Sequence, residues 1–240
     1  MKKVFFLLLL FSQHLLMAQW SNDPSVNTLI YQGGIHGPKI VTVDNFYYIS
    51  YFRVTPNGHI PFLQKVNLNG FAEWPYDGLL INDRNQPSIY RQYDIKVDND
   101  NNAVLAFRNE EAYTDNFYLS VYEISSEGEF LWGEDGKRFD LSGYKEVAPL
   151  LTINRDNSVT VMAQAYKKDS LQGYFNIGVN KYSSSGENLW EEYSIVGSDS
   201  LNIVPIGMVS SQDGGLIILF RIYDVIYPYS YSDIYVITRF

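Results

Sequence analysis

"GENLW" (186–190) decides how the chain is read, because its shape occurs twice before, as "GEFLW" (128–132) and "GFAEW" (70–74). Trp74, Trp132 and Trp190 are evenly spaced, each four residues after a glycine. A fixed period, here about 58 residues, marks a repeat architecture in which each repeat is one supersecondary unit. Upstream of each glycine lies a strand-like stretch: "FLQKVNLN" (62–69), "FYLSVYEISSE" (117–127) and "FNIGVNKYSSS" (175–185). Earlier still come an apolar strand, a polar turn and a second strand. These read "KIVTVDNFYYISYF" (39–52), "DIKVDNDNNAVLAF" (94–107), "LLTINRDNSVTVMAQA" (150–165) and "IGMVSSQDGGLIILF" (206–220).

Each unit therefore has four strands, a to d. A polar turn joins a to b, a longer loop joins b to c, and the glycine turn leads into a d strand expected to begin at the tryptophan. "VTVMAQ" (159–164) alternates and puts Val159, Val161 and Ala163 on one face. "LIILF" (216–220) is apolar throughout, as in a strand covered on both faces. No stretch beyond the N-terminus keeps a 3.6-residue apolar period with caps, so no helix is expected there. Repeated four-stranded units of this length predict an all-β fold, a β-propeller of four-stranded blades.

The fourth unit stops at Phe240, one full period after Tyr182 and before any strand d. Trp20 lies slightly less than one period before Trp74, at the other end of the chain. The expectation is four blades, with the N-terminal segment lending the missing strand and so removing an exposed sheet edge. The alternative is a fragment of a larger propeller.

The first residues, "MKKVFFLLLLFSQHLLMAQ", have a basic start, an apolar run and a small-residue step at Ala18. They read as a signal peptide over 1–18, leaving a propeller domain over 19–240. The run is too short to span a bilayer, which takes about 20 residues, and no later segment is apolar enough to cross as a helix. The chain has no cysteine, which excludes disulfides, thiolate metal sites, a cysteine nucleophile and a lipidated N-terminal cysteine. A secreted or periplasmic location follows, with cell-surface association open. Without Lys2 and Lys3 the balance is 16 basic to 27 acidic side chains, and no basic cluster tracks a phosphate backbone, so nucleic acid is not an expected partner.

The unit "VSSQDGGLIILF … YVITRF", with "YSSSGENLW" as its absent end, resembles the repeats of secreted Gram-negative β-propeller-type proteins. That resemblance implies architecture and export rather than a reaction. The turns "SSQDGGLI" (210–217) and "NRDNSVTV" (154–161) also resemble the Asp-box turn of sialidase-like propellers, with Asp213 and Asp156 in the aspartate place. The role this implies is structural, a carboxylate accepting nearby backbone N–H groups. The arginine set of a sialidase is missing.

"DNDNN" (98–102) lacks the glycine and glutamate that a calcium loop of the EF-hand type needs, so it reads as one more Asx turn. His36 and His59 lack metal-ligand spacing. No metal, cofactor or catalytic residue is assigned. Glu110, Glu111 and Asp115 are the loop carboxylates a glycosidase could use. The densest candidate surface is aromatic, in "RIYDVIYPYSYSDIY" (221–235), where Tyr223, Tyr227, Tyr229 and Tyr231 crowd a predicted b–c loop. Tyr113 with Asp115, and Tyr166, fall in the equivalent loops. Such residues stack on sugars or anchor a protein. The expected function is an exported, non-enzymatic binding or scaffolding module that engages a glycan or protein through this face. The alternatives are a carbohydrate-active hydrolase using loop carboxylates and an outer-membrane β-barrel, the latter prompted by the terminal phenylalanine.

Overall fold

The computed structural model describes residues 29–75, 77–84, 92–110, 117–168, 174–190, 194–197, 200–223 and 233–239. Blade 1 comprises β1 (Ile35–Thr42), β2 (Phe46–Thr55), β3 (Gly58–Asn67) and β4 (Leu79–Leu80). Blade 2 comprises β5 (Tyr93–Val97), β6 (Ala103–Glu110), β7 (Phe117–Ile124) and β8 (Lys137–Phe139). Blade 3 follows with β9 (Tyr144–Ile153), β10 (Val159–Lys167), β11 (Phe175–Tyr182) and β12 (Ser194–Val196). Blade 4 has β13 (Asn202–Ser210), β14 (Leu216–Tyr223) and β15 (Asp233–Arg239). Each sheet is an antiparallel meander in chain order, and among the described residues the four sheets are separate. Four separate sheets are blades of a propeller and do not make the single closed sheet of a membrane barrel.

Successive blades pack face to face. One apolar cluster joins blades 1 and 2 around Tyr48, Leu63, Phe107 and Tyr122. A second joins blades 2 and 3 around Val121, Phe139 and Tyr182, with Val159, Val161 and Ala163 on the face that the alternation predicts. A third joins blades 3 and 4 around Met162, Ile177, Ile218 and Phe220. The faces of blade 1 and blade 4 that turn away from this stack carry Ile40, Val209 and Val236, exposed at 59%, 56% and 64%. The segment expected to close the ring, residues 19–31, lies outside the described residues up to Thr28.

The repeated pentapeptide is a turn and a socket. Gly70, Gly128 and Gly186 have φ of 82°, 87° and 76°, a region that favours glycine. Each N–H donates three residues back, to the carbonyls of Asn67, Ser125 and Ser183 at 2.9, 3.0 and 2.9 Å. The side chains of those three residues accept further N–H groups of the turn, from Phe71, Glu129 and Glu187 at 3.1, 3.1 and 3.0 Å. The tryptophans do not begin strand d as expected. They lie in the connection before it, and each of the first two crosses to the next blade. A Cβ added to Gly128 would lie 3.6 Å from Trp74 Cε2, and one added to Gly186 would lie 2.7 Å from Trp132 Cγ. Trp132 Nε1 also donates to the Ser184 carbonyl at 3.1 Å.

The a–b turns behave as Asx turns. Asp98 Oδ1 accepts the N–H groups of Asp100 and Asn102 at 2.9 and 2.7 Å. Asp156 accepts from Ser158 N at 3.1 Å and Asp213 from Gly215 N at 3.2 Å. Hydrogen bonds, led in each case by a serine hydroxyl (Ser158 and Ser211), hold both of the latter carboxylates below their ordinary pKa. Adjacent a–b turns also bond to each other, Asn99 N to Asn157 Oδ1 at 2.9 Å. The a–b and c–d turns therefore share one end of the blade stack, and the b–c loops and d–a connections share the other.

Candidate functional site

The loop end collects the first residues of the inner strands. Three of those strands are irregular there. The register shifts between His36 and Lys39 in β1, opposite Met162 and Gln164 in β9, and between Pro205 and Gly207 in β13. In β9 the irregularity is Ala148-Pro149, where Ala148 takes a φ of 54°. A non-glycine residue in that region costs about 1–3 kcal/mol and is held there only by its surroundings. Bulges of this kind re-aim side chains and gather next to functional sites.

Two carboxyl groups flank the β9 bulge. Glu146, two residues before Ala148, is fully buried. Its Oε1 accepts the Leu141 N–H at 2.8 Å, while Oε2 has no hydrogen-bond partner. Burial pushes its pKa up to about 8, with the Asp140 charge adding to the rise and the Leu141 hydrogen bond opposing it. The rise favours the protonated acid at neutral pH. The 139–144 connection forms its roof: Leu141 packs in the core between blades 2 and 3, and Gly143 O accepts Lys168 N at 2.9 Å.

Asp94, on β5, reaches across to β9, where its Oδ2 accepts the Leu151 N–H at 3.0 Å. Its oxygens lie 3.7 Å from Lys39 Nζ on β1 and 3.5 Å from Lys96 Nζ. One carboxylate thus ties three inner strands together and is flanked by two ammonium groups. Tyr93 anchors the same place from the other face, its hydroxyl donating to Gly37 O at 2.5 Å. Asn202, at the start of β13, accepts Phe175 N at 2.9 Å.

His36 and His59, distant in sequence, meet edge to face with ring centroids 5.1 Å apart. Among the described residues no group of three or more His, Cys, Asp or Glu is placed to hold a metal ion.

Of the expected aromatic face, two residues lie among the described ones. Tyr166 is a strand residue on β10, opposite Lys145 and Phe175, rather than part of a b–c loop. Its ring lies edge-on to Phe175 at 5.8 Å. Tyr223 ends β14 opposite Asn202. Tyr113, Asp115, Tyr227, Tyr229 and Tyr231 lie outside the described residues. Glu110 ends β6 opposite Phe117, and Glu111 lies outside the described residues. Sequence reasoning passes over Glu146 and Asp94. The available signal is a charge set between apolar residues in "YKEVAPLL" (144–151) and "YDIKV" (93–97), with Pro149 marking a bulge inside a strand.

No protein-family model matches the chain, and no curated protein does. Solved structures are similar to it. The endo-arabinase from Bacteroides thetaiotaomicron is 14% identical with a TM-score of 0.42, over 83% of this chain and 74% of its own. The GH43 endo-arabinanase from Bacillus licheniformis is 15% identical with a TM-score of 0.40, over 85% and 73%. The α-L-arabinanase from Cellvibrio cellulosa, complexed with arabinohexaose, is 10% identical with a TM-score of 0.39, over 92% and 79%. These likenesses correct the expectation of a non-enzymatic binding or scaffolding module. The solved chains are named as arabinases and arabinanases, which are enzymes.

Proposed function

We propose that the protein is a carbohydrate-active hydrolase whose chemistry is centred on the inner-strand residues at the loop end of the blades. The observation that carries this reading is the Glu146 carboxyl: buried, with one oxygen unpartnered and its pKa raised to about 8. Glycoside cleavage needs a carboxylic acid that stays protonated at working pH and a second carboxylate that stays charged. Glu146 suits the first role, donating its proton to the leaving-group oxygen. Asp94, flanked by Lys39 and Lys96, suits the second as the charged group across the same inner-strand seam. Because Glu146 is fully buried, this role requires the 140–143 connection above it to open to the glycosidic oxygen.

The test is turnover of a panel of polysaccharides and aryl glycosides by the full chain and by Glu146→Gln. Loss of general-acid help costs about 10²–10⁴-fold in kcat. The loss is expected to be smaller on aryl glycosides, whose leaving groups need no proton. Wild-type activity should fall as pH rises through about 8, the pKa of Glu146, and this limb should vanish in the variant. A variant as active as the parent on every substrate would overturn the assignment.

On this reading the substrate is met outside the cytoplasm, with residues 1–18 removed as a signal peptide and 19–240 forming the mature domain. N-terminal sequencing of the exported protein is expected to begin at Gln19. Export with Met1 retained would count against it.

A further inference from the structure

Blade 2 departs from the repeat at one place. Nine residues before Trp74, Trp132 and Trp190 stand Lys65, Glu123 and Lys181, so blade 2 has a carboxyl where its neighbours have a lysine. On blades 1 and 3 that lysine is paired, Lys65 with Glu73 at 3.1 Å and Lys181 with Asp156 at 3.6 Å. Glu123 is 3% exposed and instead meets a second acid, Asp98 of the a–b turn, itself 5% exposed. One amide bridges the two, Asn102 Nδ2 donating to Asp98 Oδ2 at 2.9 Å and to Glu123 Oε1 at 3.4 Å. The other Glu123 oxygen has no hydrogen-bond partner. Asp98 is otherwise met by neutral donors, the N–H groups of Asp100 and Asn102 and the side-chain amide of Asn157.

We propose that the Asp98–Glu123 pair is a proton-operated latch between blades 2 and 3: one proton shared by the two carboxyls holds the 98–102 turn against blade 3, and its loss releases the turn. Two carboxyls buried side by side resist ionising together, because burial and a like charge both act against the second charge. In line with this, burial, then the charge and hydrogen bond of Asp98, raise the Glu123 pKa to about 8, with Asn102 opposing the rise and Asp100 adding to it. The turn is the part of blade 2 that meets blade 3 at this end. Asn157 Oδ1 accepts the Asn99 N–H at 2.9 Å, and Asn157 Nδ2 donates to Asp100 Oδ2 at 2.7 Å and to Asp98 Oδ2 at 3.4 Å. Asn99 Nδ2 donates to the Asn154 carbonyl at 3.3 Å. From blade 1, the Tyr48 hydroxyl donates to Asn101 O at 3.0 Å. The charges around the pair are Asp100 on the same turn, Glu127 and Lys65 at the neighbouring c–d turn, and Asp156 with Lys181 on blade 3. When Glu123 ionises, two facing carboxylates push the turn away from β7, and its contacts with Asn157 and Asn154 go with it. The latch does not rest on the hydrolase reading.

The test is solvent exchange of backbone amides in the full chain, read by NMR at pH 6 and pH 9 and divided by the intrinsic rate at each pH. The N–H groups of Asn99, Asp100 and Asn102 are expected to lose about tenfold or more of their protection at pH 9. Those of Gly186 and Glu187, in the c–d turn of blade 3, should change little. Glu123→Gln should keep the three amides protected at both pH values. Glu123→Lys, which restores the residue of blades 1 and 3 and sets an ammonium against Asp98, should do the same. Asn157→Gly, at a φ of 61° that suits glycine, should expose Asn99 at both pH values while Asp100 and Asn102 still respond. Equal protection of the three amides at pH 6 and pH 9 in the parent would overturn the latch. So would a loss that persists in Glu123→Gln or Glu123→Lys, or one shared evenly by the whole chain. Should one Glu123 variant fail to fold, the other decides together with Asn157→Gly.

Discussion

Between blades 2 and 3, Trp132 lies on Gly186 and donates to Ser184 O, while Asp94 takes up the Leu151 N–H of the facing strand. Between blades 3 and 4, the equivalent Trp190 lines a cleft bordered by Gly214 and Leu216. The sequence around both tryptophans is nearly the same, so the side chain does not decide its own role. What the next blade brings to the seam decides it. The glycine turn of blade 3 makes the Trp132 indole a packing element.

The largest expected difference between the two seams is in stability. Trp132 is 5% exposed and locked on both sides, so Trp132→Ala should cost about 3–5 kcal/mol in chemical denaturation. Trp190→Ala, already facing solvent in part, should cost less than about half as much. Equal costs would mean that the third seam is filled as the second is, and the contrast would be lost.

A second comparison uses pH. Glu146 at the loop end and Glu123 near the a–b turn of blade 2 are both raised to about 8, by burial above all. Asp98, by its charge and by a hydrogen bond to Glu123, adds to the rise in the latter. In both cases the native state holds a proton that the unfolded chain has released. Their contribution to stability is therefore complete below about pH 4.5, is lost as pH rises toward 8, and changes little above that. The loss should appear as a fall of several degrees or more in Tm between pH 4 and pH 9. Glu146→Gln and Glu123→Gln should each raise Tm at pH 9 and leave it nearly unchanged at pH 4. Only Glu146→Gln should affect turnover, because Glu123 is engaged with Asp98 and Asn102 at the other end of the blades. A Tm that does not move between pH 4 and 9 would remove the buried-acid argument for both.

A smaller effect sharpens the seam contrast from the glycine side. A Cβ on Gly186, at φ 76°, would lie 2.6 Å from Lys137 Cε and 2.7 Å from Trp132 Cγ. Gly186→Ala should thus suffer both backbone strain and a clash, about 1–3 kcal/mol. Gly214, at φ 87° and with nothing within 4 Å, should suffer the backbone strain alone when changed to alanine. Denaturation midpoints of the two variants measure the difference.

Much of the fold is legible in the sequence because the period is strict and local. The Gly-x-x-x-Trp step places three c–d turns to the residue, and the Asx residues at 98, 154 and 156 mark the a–b turns. The place of the tryptophans is not legible because they pair across blades, and a period within one chain says nothing about which neighbour a side chain meets. The candidate site is harder still. Tyrosine-rich loops point toward a surface, yet Tyr166 belongs to a strand pair. In the sequence Glu146 looks like an ordinary charge in an exposed strand. Only the bulge at Ala148 and the roof at Leu141 make it a buried acid.

Taken alone, the sequence determined the blade: strand count, turn chemistry and the face that each alternating residue takes. These depend on neighbours a few residues apart, which period and turn residues encode directly. Tertiary structure alone decided which charges lose water and which neighbouring turn each of Trp74 and Trp132 meets. Desolvation and packing depend on what the next blade places opposite a side chain, and those partners lie roughly one blade away along the chain.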